Sequence, residues 1–274
     1  MKKQLFITGG IGNQMSEYAF YLSCIKKDIR IDLNIDLYHV NRMHNGYMLN
    51  RAFGVSNDIV RNSNRLTVLC SRLLRRYLPF GLVYNEIYDV FSDEAYYGKA
   101  PYINGVFIGE RYFEDAREEV RKAFIFKNID SENLRLASLM QETSSVSLHI
   151  RRGDYLKIPQ YAVCDEQYYS KAIRYVNDHV EKPKFFVFSD DPAWCQTFLK
   201  RFEIDFHVVN RNFGIDSYKD MFLMTQCKHN IIANSTFSWW GAWLNNKSNK
   251  IVACPEKWIF GMNYNPCLRD WIYV

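Results

Sequence analysis

Residues 184–202 read KFFVFSDDPAWCQTFLKRF, and two periodicities meet in them. Phe185 to Phe188 are apolar without a break, the pattern of a strand covered on both faces, as in a parallel sheet. Trp194, Phe198 and Phe202 then recur at helical spacing. The junction carries the stop and start signals. Asp191 caps the helix with Pro192 at its first position, and Asp190 is left free at the strand end. The same strand-to-helix alternation continues on both sides. FHVVN (206–210), NIIAN (230–234) and KIVACP (250–255) read as strands. SYKDMFLMTQCKH (217–229), with Ser217 as N-cap and Asp220 in the capping-box position, reads as a helix, as does STFSWWGAWL (235–244). Upstream, SVSLHI (145–150) is a strand and DEQYYSKAIRYVNDHV (165–180) a helix. Such alternation predicts a doubly wound parallel sheet.

The first half follows the same plan less regularly. QLFITGG (4–10) is a strand entering a glycine turn, and NQMSEYAFYLSCIKK (13–27) a helix with Met15, Tyr18, Ala19, Leu22 and Ile25 on one face. IRIDLNID (29–36) is a second strand, YINGVFIGERYF (102–113) a strand and loop, and EDAREEVRKAF (114–124) a helix. Residues 38–100 resist assignment. The polar stretch 127–142 marks a boundary, so the expected architecture is α/β, with two Rossmann-like domains, 1–140 and 141–274, facing a cleft.

The 274 residues are 48% hydrophobic, as suits a globular chain with a substantial core. A net charge of +5 and a pI near 8.7 fall short of a dedicated nucleic-acid binder. Basic residues gather in 61–76, where Arg72, Arg75 and Arg76 fit an amphipathic helix. A solvated face is the plain reading, and peripheral contact with an anionic inner membrane the alternative. Seven dispersed cysteines without a Cys-x-x-Cys pair suit reduced thiols and the cytoplasm. The apolar run near the start is too short for a signal peptide, and no segment is long enough to span a membrane. The Asn234 and Asn246 sequons then carry no glycan.

Three stretches carry chemistry. In HIRRGDY (149–155) the preceding alternation of Val146, Leu148 and Ile150 predicts a strand with one buried face. Ser147, His149 and Arg151 then share the other. Arg151 projects from the carboxyl end of that strand, where ligands of open α/β sheets bind, and a guanidinium fork there calls for an anion. A surface strand end with an Arg152–Asp154 pair is the bland alternative. In ANSTFSWWGAWL (233–244) a strand runs straight into a helix whose start holds Asn234, Ser235 and Thr236, a favourable place for phosphate. Simple capping by Ser235 explains one of the three polar residues. Trp239, Trp240 and Trp243 belong to the core on this reading. In GGIGNQM (9–15), Gly10 and Gly12 permit a tight turn and close backbone approach, but Met15 stands where a dinucleotide fingerprint needs a small residue. Asn13 and Gln14 either cap the helix or bind a sugar or its diphosphate. Asp190 can accept hydrogen bonds from ribose hydroxyls or from the paired N–H groups of a guanine. No Asp-x-Asp and no metal-ligand spacing is visible, so arginine replaces a metal cation and no cofactor is expected.

GGIGNQM, HIRRGDY, FSDD and NSTFSWWGAWL, together with GVFIGERYF (105–113), resemble the motifs of glycosyltransferase family 11, the α-1,2-fucosyltransferases. The resemblance implies a GT-B architecture, with an acceptor-side domain followed by a donor-binding one. It implies GDP-β-L-fucose as donor, a β-galactoside as acceptor and metal-independent transfer with inversion. By motif match Arg151 holds the donor's β-phosphate and His149 and Asp190 lie near the nucleoside. Ser235 and Thr236 hold phosphate oxygens and Asn13 lies near the fucose, with Gly10, Gly12, Gln14, Asn234 and Phe237 completing the donor-binding set. Ser16 departs from the family, which often has an aromatic residue there, and residues 38–100 match nothing assignable. Glu17, Asp36, Glu94 and Glu110 are candidates for a base. Another GDP-sugar transferase and a catalytically idle nucleotide- or glycan-binding protein are the rival readings, with a dinucleotide oxidoreductase the rival that Met15 disfavours.

Overall fold

The computed structural model describes residues 2–40, 44–56, 60, 82–87 and 89–274. The basic stretch 61–76 lies outside the described residues. The chain forms two compact units, Met1–Asn128 and Ile129–Val274. The division falls at the start of the polar stretch 127–142 rather than at residue 140. The reason is the helix at Ser131–Glu142, which begins at an Asp130 cap and packs with the second unit.

The first unit holds β1 (Lys3–Phe6), α1 (Ile11–Lys26), β2 (Ile31–Asn34), α2 (Asp36–Val40), α3 (Leu49–Phe53), β3 (Val83–Asn85), α4 (Glu94–Tyr97), β4 (Tyr102–Asn104) and α5 (Arg117–Ala123). Its four strands are parallel in the order β2-β1-β4-β3. Helix α1 is buried beyond its expected stripe, since Ile11, Gln14, Glu17 and Tyr21 are also covered, whereas Ile25 is 45% exposed.

The second unit holds α6 (Ser131–Glu142), β5 (Ser145–Ile150), α7 (Glu166–His179), β6 (Lys184–Ser189), α8 (Pro192–Leu199), β7 (Asp205–Val208), α9 (Tyr218–Gln226), β8 (His229–Ile231), α10 (Thr236–Leu244), β9 (Val252–Cys254) and β10 (Ile272–Tyr273). The order β10-β9-β8-β5-β6-β7 is parallel throughout. As its apolar run predicts, β6 is buried on both faces from Phe185 to Phe188.

The alternation in β5 does not mark a solvent face. Every residue from Ser145 to Ile150 is buried, because β5 lies between β6 and β8 and both faces of the sheet are covered. Val146, Leu148 and Ile150 pack with α7 and α8 residues such as Tyr169, Ile173 and Phe198. On the other face Ser147 accepts a hydrogen bond from the Asn230 amide at 2.7 Å, while Phe186 and Phe188 of β6 pack against α6 and α9. Two kinds of interior, one apolar and one partly polar, produce the pattern of a half-exposed strand.

Two capping expectations part company. Asp191 caps α8 by accepting from Trp194 N–H at 3.1 Å, with Pro192 at the first position. Ser217 makes no capping bond to α9. The Asp220 carboxylate accepts instead from Asn212 Nδ2 at 2.7 Å.

Candidate active site

Strand order gathers three loops of the second unit. Ile150 is in register with Ser189, so the residues after β5 and β6 emerge side by side, and β8 leads into α10 on the other flank of β5. Arg151 lies one residue beyond β5. Its guanidinium makes an ion pair with Asp190 Oδ2 at 2.9 Å and another with Asp154 Oδ1 at 2.5 Å. It also sits 5.3 Å from the centre of the Tyr155 ring.

Arg152 diverges from its neighbour. Its Nε pairs with Asp191 Oδ2 at 3.1 Å, and its guanidinium lies 3.8 Å from the Trp194 ring centre, over the start of α8. Its backbone N–H donates to Asp190 Oδ1 at 2.9 Å. Asp190 is therefore not free, since one oxygen binds each arginine. It also presses on Gly153, where an added Cβ would fall 2.4 Å from Asp190 Oδ2. Gly153 is required here by close approach.

His149 is 6% exposed, with its ring 5.8 Å from Phe237. Its Nδ1 is buried without a hydrogen-bond partner among the described residues. Burial, with the Arg151 charge as a lesser cause, brings its pKa down to about 3, so the imidazole is neutral in neutral solution. An unfolded histidine titrates near ~6.5. Between those values the unfolded chain binds the extra proton, so this contribution to stability is complete above ~6.5 and is lost as pH falls towards 3. Asp220 acts in the opposite sense, because burial pushes its carboxyl up to about 7, and its contribution is lost as pH rises through that value. The His149 effect is read as a difference. Between pH 7 and 5, wild type should lose about 1–2 kcal/mol more than His149→Gln, at ~1.4 kcal/mol per pKa unit. Equal losses in urea titrations at the two pH values would contradict a neutral, buried His149.

At the start of α10 the expected residues separate. The Asn234 amide is buried and donates to the Tyr161 and Trp258 carbonyls at 3.1 and 2.9 Å. It fastens loops and is not an open phosphate ligand. Its own carbonyl accepts from Tyr155 Oη at 3.1 Å. Ser235 is the N-cap residue, yet its hydroxyl makes no capping bond. Thr236 and Phe237 are half-buried in the first turn. The first N–H groups of a helix have no intrahelical acceptor, so this end can receive an anion. Trp239, Trp240 and Trp243 are core, each at most 1% exposed.

The glycine turn of the first unit forms a separate group. Its conformational demand falls on Gly9, at φ 71°, where a Cβ would fall 2.6 Å from Asn13 Nδ2. Gly10 is extended at the N-cap of α1, and Gly12 lies in its first turn. Gln14 is fully buried and fastens the turn to the following loop. Its Nε2 donates to the Gly9 and Gly46 carbonyls at 3.2 and 2.9 Å, and its Oε1 accepts from Met48 N–H at 2.8 Å. Of the base candidates, Glu17 is fully buried and accepts from Thr8 N–H and Oγ1, each at 2.8 Å. Burial holds its pKa well above the usual carboxylate range. Asp36 is 1% exposed, Glu110 pairs with Arg117 at 2.7 Å, and Glu94 is exposed on α4.

The expected Arg152–Asp154 pair does not form, because Asp154 pairs with Arg151 and Arg152 with Asp191; a place for Asp154 and Tyr155 beside Arg151 was not read from HIRRGDY. Their signal was adjacency to Arg151, which does not say that a glycine turn folds them back onto it.

The fold is α/β of the GT-B type. It resembles solved structures of POFUT1 without ligand and in complex with GDP-fucose, each at a TM-score of 0.50. Identity is 12% and 13%; the matches cover 92% and 96% of this chain and 97% and 98% of those. Residues 8–274 match glycosyl transferase family 11, and the chain belongs to that family of glycosyltransferases. An alpha-1,2-colitosyltransferase of Escherichia coli is 32% identical, over 98% of this chain and 97% of the relative. The O-antigen biosynthesis glycosyltransferase WbnK of Escherichia coli is 33% identical, over 97% and 98%. The galactoside 2-alpha-L-fucosyltransferase Sec1 of Mus musculus is 27% identical, over 90% of this chain and 65% of the relative.

Proposed function

We propose that this chain moves L-fucose from GDP-β-L-fucose to the 2-hydroxyl of a terminal β-galactoside, forming an α-1,2 linkage with inversion. The observation that carries the reading is the Arg151 guanidinium at the carboxyl edge of the second sheet, beside the start of α10. In the reaction the acceptor oxygen forms a bond to fucose C1 as the bond from C1 to the β-phosphate oxygen breaks. The leaving electron pair goes to GDP and the hydroxyl proton to solvent or a base. Negative charge grows on the β-phosphate, and Arg151 binds it more strongly in the transition state than in the ground state. Asp190 holds Arg151 in place and has lone pairs left for a guanine.

A second donor has support, because a relative is named for colitose, a sugar that lacks the 3-hydroxyl of fucose. The similarity to WbnK favours a role in O-antigen or other surface-glycan synthesis. Six described cysteines are free, which suits the cytoplasm. Among the described residues no helix is long and apolar enough to cross a membrane. The decisive assay supplies GDP-fucose and GDP-colitose with a panel of β-galactosides, and reads product mass and linkage. Linkage to any position other than the 2-hydroxyl would contradict the reading, as would no transfer from either donor.

Two further results follow from it. Among the described residues no group of three or more His, Cys, Asp or Glu side chains is placed to hold a metal. On this reading Arg151 and the start of α10 supply the charge that faces the diphosphate, so activity should survive excess EDTA, and a loss above tenfold that Mg²⁺ or Mn²⁺ restores would assign the phosphate charge to a metal. Asp190→Asn should weaken GDP binding about tenfold, since a polar group left unpaired under a bound guanine costs ~1–3 kcal/mol, with a smaller effect on ADP. Equal losses in calorimetric titrations would limit Asp190 to holding the arginine.

A further inference from the structure

Arg151 is held by two carboxylates of different character. The Asp190 side chain is three-quarters covered, although its backbone is open to solvent, and each of its oxygens already accepts a bond, one from the Arg152 backbone and one from Arg151. It is part of the frame. Asp154 has a half-exposed side chain and makes its bond to Arg151 alone. It stands on the 3₁₀ turn Asp154–Lys157, just after Gly153. A change of side-chain rotamer is enough to take it off the guanidinium.

We propose that Asp154 is an internal competitor for the nucleotide's diphosphate. It occupies Arg151 when the site is empty, gives way to the phosphates, and returns as GDP leaves. This rests on the reading of Arg151 as a phosphate ligand. The physical case is one of competing anions. A partly exposed ion pair is weak and screened by salt, so a diphosphate that also meets the start of α10 displaces it. A carboxylate so close then repels the bound phosphate. Transfer converts a phosphodiester into a terminal phosphate with a second ionisation near pH ~6, so GDP carries about one more negative charge than the donor. Repulsion by Asp154 is therefore stronger in the product complex than in the substrate complex, and it favours release of the product.

The test is calorimetric titration of GDP and of guanosine into wild type, Asp154→Asn, Asp154→Ala, Arg151→Ala and the Asp154→Asn, Arg151→Ala double variant. Each is checked for an unchanged melting temperature. Both Asp154 single variants should bind GDP roughly two- to fivefold more tightly than wild type at low salt. Their GDP dissociation should be slower, and the gain should shrink by ~0.5 M salt. Guanosine binding should not change, and the gain should shrink in the Arg151→Ala background, where only the direct repulsion of the phosphate is left. GDP binding that is unchanged or weaker in folded Asp154 variants overturns the proposal and leaves Asp154 as a support for the arginine. Tightening that persists undiminished without Arg151 also overturns it, because Asp154 then does not compete for the guanidinium. Wild type that binds no GDP overturns the nucleotide reading and this inference together.

Discussion

Arg151→Lys lowers kcat by roughly 10²–10³-fold, the loss expected when one preorganised electrostatic donor is removed, while the melting temperature stays near that of wild type. The guanidinium now spans Asp154 and Asp190. A lysine ammonium keeps the charge but not the planar fork. It cannot face a carboxylate and a phosphate oxygen in fixed directions at once, so lysine rescues little over alanine. Arg152→Ala acts differently. That side chain caps a corner between Asp191 and Trp194, so its loss acts on stability more than on kcat. A folded Arg151→Lys enzyme keeping more than about a third of wild-type kcat would show that the wrong arginine has been placed at the phosphate.

Trp239→Ala should cost about 3–5 kcal/mol of stability, the range for removing a buried aromatic ring. Trp239 is fully buried and packs on Trp240 at 5.0 Å, on Trp243 at 6.3 Å and on Trp271 at 6.0 Å between ring centres. Its indole N–H donates to the Pro266 carbonyl at 2.9 Å. Truncation opens a cavity behind α10 and leaves that carbonyl without its donor. For a chain of this size ~1 kcal/mol shifts the melting temperature by ~2–4 °C, so the drop should reach about 10 °C in a thermal scan. A shift below ~3 °C would mean that the tryptophan cluster does not anchor α10.

The elements legible in the sequence are those long enough to show a period. The apolar run of β6 and the Asp191-Pro192 junction need only neighbours in the chain. Among the described residues of 38–100 the elements run three to five residues, such as β3 and α4, too short for any periodicity to emerge. The alternation in β5 misled because a buried polar face, held by the Ser147–Asn230 bond, has the same period as a wet one. Arg151 was legible from its place at a strand end. The spending of Asp190 was not, because the backbone N–H that claims it lies 38 residues away. Gln14 and Asn234 show the same limit. Their amides could equally serve a ligand or loop carbonyls, and only the folded chain supplies the carbonyls.

A structure determined with GDP bound tests the central claim most directly. The account predicts the β-phosphate within ~2.7–2.9 Å of the Arg151 guanidinium, the distance of a charge-assisted hydrogen bond, with Asp190 still beside the arginine. A β-phosphate held by Arg152 instead, or a nucleotide bound away from the carboxyl edge of the second sheet, would contradict it.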